Sequence, residues 1–488
     1  MAKRKGSAGN SARRKKSTNK YSRRSGSNKL GTLCIILQTI ASIALMAVLC
    51  LLGMIPDKYL ILVAAILMAV VMFTGSYYVA QANNMIGKIT GSNYKVDKMV
   101  VAVRADDSAE TIEDAAGYTY GVQFEKGADN IQTAVTDIEK QIGVDTIEVK
   151  EYDSVQDQAQ ALIDGDCDAI IYNSAYTSLM EETVDGYSEK AKVLYTFNIP
   201  VELNLGNKDN MATDDSIIKE PFTVYISGID VYGDVSETSR SDVNIIAVVN
   251  PTTHQILLIT TPRDYYIPIP GISDGMNDKL THAGTYGIDV SMETLGALYE
   301  TDINYYVRLN FSSLIEIVDI LGGVDVYSEY AFTTGWESGY EMEVQQGINH
   351  FDGKQALAFS RERHALEGGD NQRGKNQQAV ITAMLKKVLS PTMLLKANSI
   401  INQVSQDVET NISQGQLNSL VKSQLKSGAK WTIQSVAASG TDGEDYCYSV
   451  PDMPLYGLYP DEEVVNSIVE LANIVEEGGS LESGEALN

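Results

Sequence analysis

The chain has few of the residues that build the commonest catalytic and structural sites. It holds 4 cysteines and 4 histidines in 488 residues. Cys34 and Cys50 lie in apolar runs, so only Cys167 and Cys447 could form a disulfide, and two distant cysteines make no disulfide framework. The sequence also has no HExxH, no paired CxxC and no Walker loop. Zinc hydrolysis and nucleotide switching therefore have no local support.

Positive charge is also scarce beyond the first 29 residues. Residues 1–29 hold 11 Lys or Arg and no acid, whereas residues 83–488 hold 26 Lys or Arg against 63 Asp or Glu. This excess of acid excludes nucleic acid as a natural partner for most of the chain. The basic tail at 1–29 is rich in Ser, Gly and Asn and is predicted to be disordered and cytoplasmic. A DNA-binding arm is the alternative, but a position beside a membrane already explains the charge.

Two uncharged apolar runs follow the tail, at 30–55 and 59–82. At about 1.5 Å per residue in a helix, each is long enough to cross a hydrocarbon core of about 30 Å. The alternative is a buried helical hairpin, although both runs exceed ordinary core helices. With the tail inside, two crossings would return the chain to the cytoplasm. The sequence therefore predicts a membrane anchor and leaves its topology open.

Residues 96–215 alternate short β-rich runs with helical runs, from MVVAVRA to AKVLYTFNI. This alternation predicts a small α/β domain with a mainly parallel sheet. It resembles one lobe of a periplasmic solute-binding protein, and without a second lobe a spacer or interaction role is favoured over sensing. A polar linker follows at about 206–220.

A second α/β domain is predicted over 221–390, with a helical and strand extension at 391–488 that completes it. The runs FTVYISGID, VNIIAVVN and HQILLITTP predict strands, and their apolar stretches indicate a sheet covered on both faces. Helices are predicted near 292–299, 311–321, 354–359 and 377–389. The strands at 245–260 and the helix at 311–321 are candidates to line an apolar tunnel, although a plain core needs the same residues.

Arginine is concentrated in four short polar motifs of this second domain. Residues 83–488 contain seven arginines, and five of them lie in SRSD, TTPRD, SRER and GGDNQRGKNQQ. An arginine binds planar oxyanions with two parallel hydrogen bonds and stays charged when desolvated. Asp242, Asp264 and Asp370 stand in the same motifs, and Mg²⁺ prefers carboxylates together with phosphate oxygens. The alternative is that the arginines pair with neighbouring acids, but the whole set favours a site for phosphate and metal.

The motifs SGIDVYG, SRSDVNI, TTPRD, DKLTHAGTYG, LGGVDVY, FDGKQALAFSRER and GGDNQRGKNQQ resemble those of the LytR-CpsA-Psr family. The order of tail, apolar segments, accessory domain and catalytic domain is similar to its streptococcal capsule members. The resemblance implies an α/β catalytic domain with a central mixed sheet flanked by helices. It also implies an enzyme, a Mg²⁺- or Mn²⁺-dependent phosphotransferase that moves a polyprenyl-pyrophosphate-linked glycopolymer onto peptidoglycan.

The resemblance also implies roles for individual residues. Asp230 and Asp242 match the metal ligands, and Arg263 matches the main catalytic arginine. Asp242 or Asp264 could help remove the proton of the acceptor, and the base stays unassigned. The pyrophosphate-binding positions are matched by Arg240, Lys279, Arg361, Arg363, Asp370, Arg373 and Gln377. Arg308 lies in DINYYVRLNF without a neighbouring carboxylate pair and is expected to tolerate lysine.

The chain departs from the family pattern at two positions. Thr260 stands where many relatives have serine, which is a mild change. Asn376 stands where many have a further arginine, and Lys375 could compensate for it.

The expected location is the cell membrane, with the catalytic domain outside the cytoplasm. The expected partners are the lipid-linked glycopolymer, peptidoglycan, membrane lipid and capsule assembly proteins. Capsular polysaccharide is preferred over teichoic acid because of the accessory domain. A regulatory or lipid-sensing protein without turnover is the alternative function, and a transcription attenuator is a third.

Overall fold

The structure, a computed structural model, describes residues 94–124, 128–203, 205, 213–229, 235, 237–366, 369–404 and 408–481. The tail at 1–29 and the apolar runs at 30–55 and 59–82 lie outside these residues. Within the described ranges, no helix is both long enough and apolar enough to cross a membrane.

The first module, residues 94–202, is built on a five-stranded sheet. Its strands are β1 Tyr94–Arg104, β2 Thr119–Val122, β3 Glu148–Glu151, β4 Ala169–Asn173 and β5 Ala191–Glu202, in the order β3-β2-β4-β1-β5. Its helices are α1 Ala128–Ile142, α2 Val155–Asp164, α3 Thr177–Thr183 and α4 Tyr187–Lys190, with short 3-10 helices at Ile112–Ala115 and Ser174–Tyr176. The prediction of an α/β module is confirmed.

The prediction of a mainly parallel sheet holds only in part for this module. β2 pairs parallel with β3 and β4, but β1 pairs antiparallel with both β4 and β5. The connection from β4 to β5 spans residues 174–190, which is long enough for a crossover between strands that run in the same direction. β2, β3, β4 and β5 therefore run in one direction and β1 alone opposes them, so the sheet is mixed.

The second module is built on a six-stranded mixed sheet. Its order is β16-β11-β6-β7-β8-β17, from β6 Phe222–Ile229, β7 Val243–Asn250, β8 Gln255–Thr261, β11 Tyr305–Asn310, β16 Val408–Thr410 and β17 Thr432–Ala437. β11 pairs parallel with β6 and β17 parallel with β8, and the other pairings are antiparallel. All seven residues of β8 are buried, as expected for a sheet covered on both faces.

Helices cover both faces of this sheet. They are α5 Leu280–Tyr286, α6 Ile288–Tyr299, α7 Phe311–Ile320, α8 Gly353–Arg361, α9 Gly369–Val388, α10 Pro391–Leu394, α11 Ala397–Val404, α12 Gln414–Ser427 and α13 Glu462–Glu476. The predicted helices near 292–299, 311–321 and 354–359 correspond to α6, α7 and α8. The predicted helix at 377–389 begins eight residues earlier, at Gly369, so the motif GGDNQRGKNQQ is largely helical.

The segment 391–488 contributes to the sheet and also reaches the first module. It supplies the edge strands β16 and β17 and the hairpin of β18 Gly440–Cys447 and β19 Val450–Pro460. Cys447, Val450 and Leu455 of this hairpin share one hydrophobic core with Leu162 and Leu179 of the first module. Cys167 and Cys447 both lie in this core as free thiols. The two modules are therefore joined by buried apolar contacts.

The remaining small strands lie beside this framework. β9 Tyr266–Pro268 pairs with β10 Asn277–Lys279, β12 Val324–Ser328 with β15 Gly347–Phe351, and β13 Phe332–Thr333 with β14 Glu343–Val344. A 3-10 turn at Trp336–Ser338 lies between β13 and β14.

Candidate functional site

Asp242 and Arg263 meet where the hairpin of β7 and β8 opens. The antiparallel register pairs Asn244 with Thr261. Continuing that register by two residues puts Asp242 opposite Arg263, just outside the sheet. An Arg263 Nη1 group donates to Asp242 Oδ1 at 3.0 Å. The two motifs SRSD and TTPRD, which are 21 residues apart in sequence, therefore form one site through simple strand pairing.

Arg263 belongs to a row of charged side chains of alternating sign. Its Nε lies 3.4 Å from Asp264 Oδ2, and Asp264 Oδ1 lies 3.6 Å from the Lys279 Nζ. Lys279 in turn lies 3.3 Å from Glu182 Oε1, and Glu182 Oε2 lies 2.9 Å from Arg240 Nη2. We call this series, from Asp242 through Arg263, Asp264, Lys279 and Glu182 to Arg240, the ionic row. It contains three acids and three bases, so its charges balance.

Helices α8 and α9 bring a second group of cations to the other side of Arg263. Arg361 is the last residue of α8, and its guanidinium lies 4.4 Å from the centre of the Phe311 ring. Arg373 and Gln377 are one turn apart on α9, so they present to the same side. Together with Arg263 and Arg363, these side chains line one cavity. The fold therefore brings together four of the five motif arginines.

The cavity has a volume of about 460 Å³ and is lined by both apolar and charged side chains. Its apolar walls come from β6, β11, α7, α8 and α9 and include Ile226, Ile229, Leu309, Phe311, Leu314, Leu357, Val380 and Ile381. Its polar part contains Asp242 and the cations described above. An apolar chain could occupy one part while an anionic group contacts the other, because guanidinium groups bind phosphate oxygens bidentately.

The predicted helix at 311–321 does line this cavity, through Phe311 and Leu314. The predicted strands at 245–260 do not. Val243 is the only residue of β7 or β8 that lines the cavity, and the apolar residues of both strands from Ile245 onward are buried in two hydrophobic cores. The assignment of these strands to the tunnel was wrong because core positions and tunnel positions need the same apolar residues.

A second groove, of about 870 Å³, shares part of its lining with this cavity. Asp242, Arg263, Arg373 and Gln377 line both the cavity and the groove. The groove also contains the side chains of Tyr327 and Tyr330, which are 57% and 50% exposed. The cavity and the groove therefore share one polar cluster that contains Arg263.

The other predicted site residues take different positions. Asp264, Arg240 and Lys279 line neither compartment and lie in the ionic row behind Arg263. Asp230 falls outside the described residues, directly after the end of β6 at Ile229, which lines the cavity. Asp370 belongs to the first turn of α9. Across the described ranges no three His, Cys, Asp or Glu side chains form a metal-binding group.

The structure describes both residues at which the chain departs from the family pattern, Asn376 and Thr260. The Asn376 side chain is 3% exposed, and its amide donates to the Phe359 carbonyl at 3.2 Å. It therefore fixes α9 against α8. Lys375 lies in the groove, 3.8 Å from Glu329, and Thr260 lines the groove as well. Compensation by Lys375 for the missing arginine stays a prediction.

Two acidic residues at the site were not predicted from the sequence. Glu362 accepts the backbone N–H groups of Gly335, His364 and Ala365 at 2.6 to 2.9 Å. Burial raises the pKa of this carboxyl, but these hydrogen bonds outweigh burial and leave the pKa below its ordinary value. The motif SRER gives a signal for Glu362, because an acid between two arginines suggests an ion pair with one of them. Its contacts are with backbone instead.

Glu182 lies in the first module, and no signal in its sequence context points to the site. Partial burial raises the pKa of the Glu182 carboxyl, but Lys279, Arg240 and His282 outweigh this effect and lower the pKa overall. The carboxylate is therefore ionised at neutral pH, and its negative charge balances the neighbouring cations Lys279 and Arg240 of the ionic row.

The cavity in this mixed α/β domain combines apolar walls with clustered arginines, which are the chemical features of a site for an amphiphilic, anionic ligand. The model of the LytR_cpsA_psr family matches residues 187–454. The chain belongs to this family, which confirms the resemblance seen in the motifs.

The relatives include polyisoprenyl-teichoic acid–peptidoglycan teichoic acid transferases named TagU. The Enterococcus faecalis protein is 37% identical over 197 residues, which are 40% of this chain and 63% of the relative. The Bacillus mycoides protein is 31% identical over 272 residues, which are 54% of this chain and 85% of the relative. The crystal structure of B. subtilis TagV superposes with a TM-score of 0.45 at 24% identity, covering 54% of this chain and 99% of TagV.

A further model, described as DNA polymerase processivity factor, matches residues 57–172. Between residues 94 and 202, 23 acidic residues stand against 8 basic ones. Such a balance disfavours contact with the phosphates of nucleic acid.

Proposed function

We propose that the chain is a transferase that moves a polyprenyl-pyrophosphate-linked glycopolymer onto peptidoglycan. The observation that carries this proposal is the cavity with apolar walls that end at Arg263, Arg361 and Arg373. A polyprenyl chain matches the walls, and a pyrophosphate matches the guanidinium groups. The TagU relatives are named for the same class of reaction.

The reaction is a displacement at the phosphorus that carries the polymer. An acceptor hydroxyl oxygen forms a bond to this phosphorus, the bond from phosphorus to the bridging oxygen breaks, and polyprenyl phosphate leaves with the bonding electrons. The arginines stabilise the charge that grows on the phosphoryl oxygens and on the leaving group. The hydroxyl loses its proton, and Asp242 is better placed than Asp264 to receive it because Asp242 lines both compartments.

The residues present are compatible with a divalent cation, which we propose to be Mg²⁺ or Mn²⁺. Asp242 reaches the cavity, and Asp230 follows the strand end that lines it. Carboxylates beside a phosphate are the usual ligands of Mg²⁺. The bound cation would neutralise pyrophosphate oxygens. Arg263 would still orient the phosphoryl group, and Phe311 and Leu314 would still hold the lipid.

The groove with Tyr327 and Tyr330 is the proposed entrance for the peptidoglycan acceptor, since it shares Arg263 with the cavity but none of the apolar wall residues. The proposed polymer is capsular polysaccharide, because the first module accompanies the capsule members that the chain resembles. Deleting the gene and identifying which surface polymer is released into the medium tests this choice. Release of teichoic acid alone would exclude it.

The proposed location is the outer side of the cytoplasmic membrane, with membrane lipid around the apolar segments and capsule assembly proteins as further partners. Peptidoglycan lies on that side, so the acceptor requires it. A sensor of lipid-linked intermediates is the other candidate. Incubation of the purified chain with a short-chain polyprenyl pyrophosphate sugar and peptidoglycan fragments separates the two. The transferase forms a phosphodiester-linked product, whereas a sensor binds the donor and leaves it intact.

A further inference from the structure

Glu182 is a residue of the first module whose carboxylate contacts the cations of the second module. It lies in α3, Thr177–Thr183, and is 58 residues from Arg240 and 97 residues from Lys279 in sequence. Arg240 donates to one carboxylate oxygen at 2.9 Å, and Lys279 donates to the other at 3.3 Å. The match to the family model begins at residue 187, so Glu182 lies outside it.

Both cations depend on this carboxylate. The Lys279 side chain is only 7% exposed, and its carboxylate partners are Glu182 and Asp264. For Arg240, Glu182 is the only carboxylate partner among the described residues. A desolvated cation without a counter-ion is strongly destabilising, so Glu182 balances charge that Asp264 could not balance alone.

The position of the Glu182 carboxylate is fixed by packing on both sides. Leu179 and Met180 of α3 are completely buried in the hydrophobic core that includes Leu455 of the C-terminal hairpin. On the other side, a Cβ on Gly284 of α5 would lie 2.7 Å from the carbonyl oxygen of Ser239. The loop that carries Arg240 therefore packs directly against α5, which begins at the residue after Lys279.

The ionic row connects this contact to the proposed reaction centre. Lys279 lies between Glu182 and Asp264, and Asp264 lies between Lys279 and Arg263. If Glu182 lost its charge, Lys279 would attract Asp264 more strongly, and Asp264 would move away from Arg263.

We propose that Glu182 is a positioning residue for the transfer reaction, through which the first module holds Arg263 in its productive orientation. This inference rests on the proposed function. It gives the first module a role at the reaction centre, beyond the spacer or interaction role expected from its sequence.

The opposite role, in which Glu182 takes the place of a substrate phosphate and blocks the site, does not fit the geometry. The cavity is lined by Arg263, Arg361 and Arg373, whereas Arg240 and Lys279 line neither the cavity nor the groove. Glu182 therefore contacts cations behind the substrate compartments and leaves the compartments open.

The test compares Glu182→Gln with Glu181→Gln in the purified full chain. Glu181 is an exposed neighbour on the same helix, and its side chain accepts a hydrogen bond from Ser188. We expect Glu182→Gln to lower kcat by roughly 10- to 100-fold, the loss typical of a misplaced catalytic group. The KM for the lipid donor should change less than about twofold, because uniform binding is not affected. Glu181→Gln should behave like the parent.

Two further variants show whether Glu182 acts through Asp264. Glu182→Asp keeps the charge on a shorter side chain and should restore part of kcat. Adding Glu182→Gln to an Asp264→Asn chain should cause little further loss, because residues that act in series are not additive. Unchanged kcat in Glu182→Gln, a faster reaction, or full additivity with Asp264→Asn would each overturn the proposal.

A spectroscopic measurement separates this inference from the proposed function. The side-chain Nε resonance of Arg263 can be assigned in arginine-labelled protein by its loss in Arg263→Lys. It should shift in Glu182→Gln and stay in place in Glu181→Gln. If the parent chain transfers nothing, the proposed function fails, and the shift still reports whether Glu182 positions Arg263. An unshifted resonance overturns the positioning role in either case.

Discussion

Replacing Arg263 with lysine keeps the positive charge and removes the planar fork. In the structure, Arg263 holds Asp242 at 3.0 Å through Nη1 and Asp264 at 3.4 Å through Nε. A lysine ammonium is a single point charge and cannot keep both contacts while it faces a phosphate. We therefore expect the transfer rate to fall by about 10² to 10³, the range typical for the loss of one transition-state donor.

The folding cost of this substitution should be small. The Arg263 side chain is 26% exposed, and lysine keeps the charge beside Asp242 and Asp264, so the poorer geometry of these two partly solvated ion pairs costs about 1 kcal/mol. A change of that size shifts the melting temperature of a large domain by no more than about 4 °C. The loss of rate and the loss of stability are thus predicted to separate clearly.

The assay follows Mg²⁺-dependent transfer from a short-chain polyprenyl pyrophosphate sugar to peptidoglycan fragments, with thermal melting of each variant. Arg104→Lys is the matched control, since Arg104 lies in the first module and its ion pair with Asp106 is 3.8 Å long. It should transfer like the parent. If Arg263→Lys also transfers like the parent, or if it simply unfolds, Arg263 is a structural residue and the reaction centre lies elsewhere.

Three other predictions test the lipid site, the side of the membrane on which the first module lies, and the hydrogen bonds of Glu362. Leu314→Trp should exclude about two methylene groups of the lipid from the cavity. At about 0.8 kcal/mol per methylene, the KM for a long polyprenyl donor should rise roughly 15-fold. A KM equal to that of the parent would place the lipid elsewhere. Val193→Cys, at a position 58% exposed, should react with a membrane-impermeant thiol reagent in intact cells, because Cys167 and Cys447 are buried; reaction only after lysis would place the module in the cytoplasm. Glu362→Gln should destabilise the fold by about 2 kcal/mol at neutral pH, because hydrogen bonds to a charged acceptor are lost. Since the pKa of Glu362 is lowered from 4.5 in the folded chain, its contribution is present above that value and is lost as the pH falls through the folded pKa. Urea unfolding should therefore show the difference between parent and Glu362→Gln shrinking with acid, and a difference independent of pH would contradict this account.

Much of the fold could be predicted because its elements carry strong local patterns. The alternation of β-rich and helical runs in the first module is explicit, and the apolar runs IIAVV and ILLIT are typical of strands that are buried on both faces. The pairing of β1 with β4 and β5 could not be predicted, because strand direction depends on connections whose length alone does not fix it. Helix α9 was placed too late because its first turns are polar and contain glycine.

The candidate site was predictable where strand ends and motifs coincide. Arg263 follows β8 and Asp242 precedes β7, so the hairpin itself brings them together. Contacts between distant segments were not predictable. Arg308 has no carboxylate neighbour in its motif, yet Glu409 lies 3.7 Å from it and both residues are buried. Arg308 is therefore a core ion pair and does not serve as a tolerant control. Glu182 was missed for the same reason.

The order of strands in the central sheet also has a consequence for synthesis. The strand at one edge, β17, and the strand at the other, β16, come from residues 408–437, whereas the inner strands come from residues 222–310. During translation the inner strands emerge first. The outward-facing backbone N–H and C=O groups of β8 and β11 stay unpaired until about a hundred or more further residues have been made. Exposed strand edges invite association between chains. The nascent protein thus passes through an interval in which its sheet is open on both sides, and the last quarter of the chain closes it.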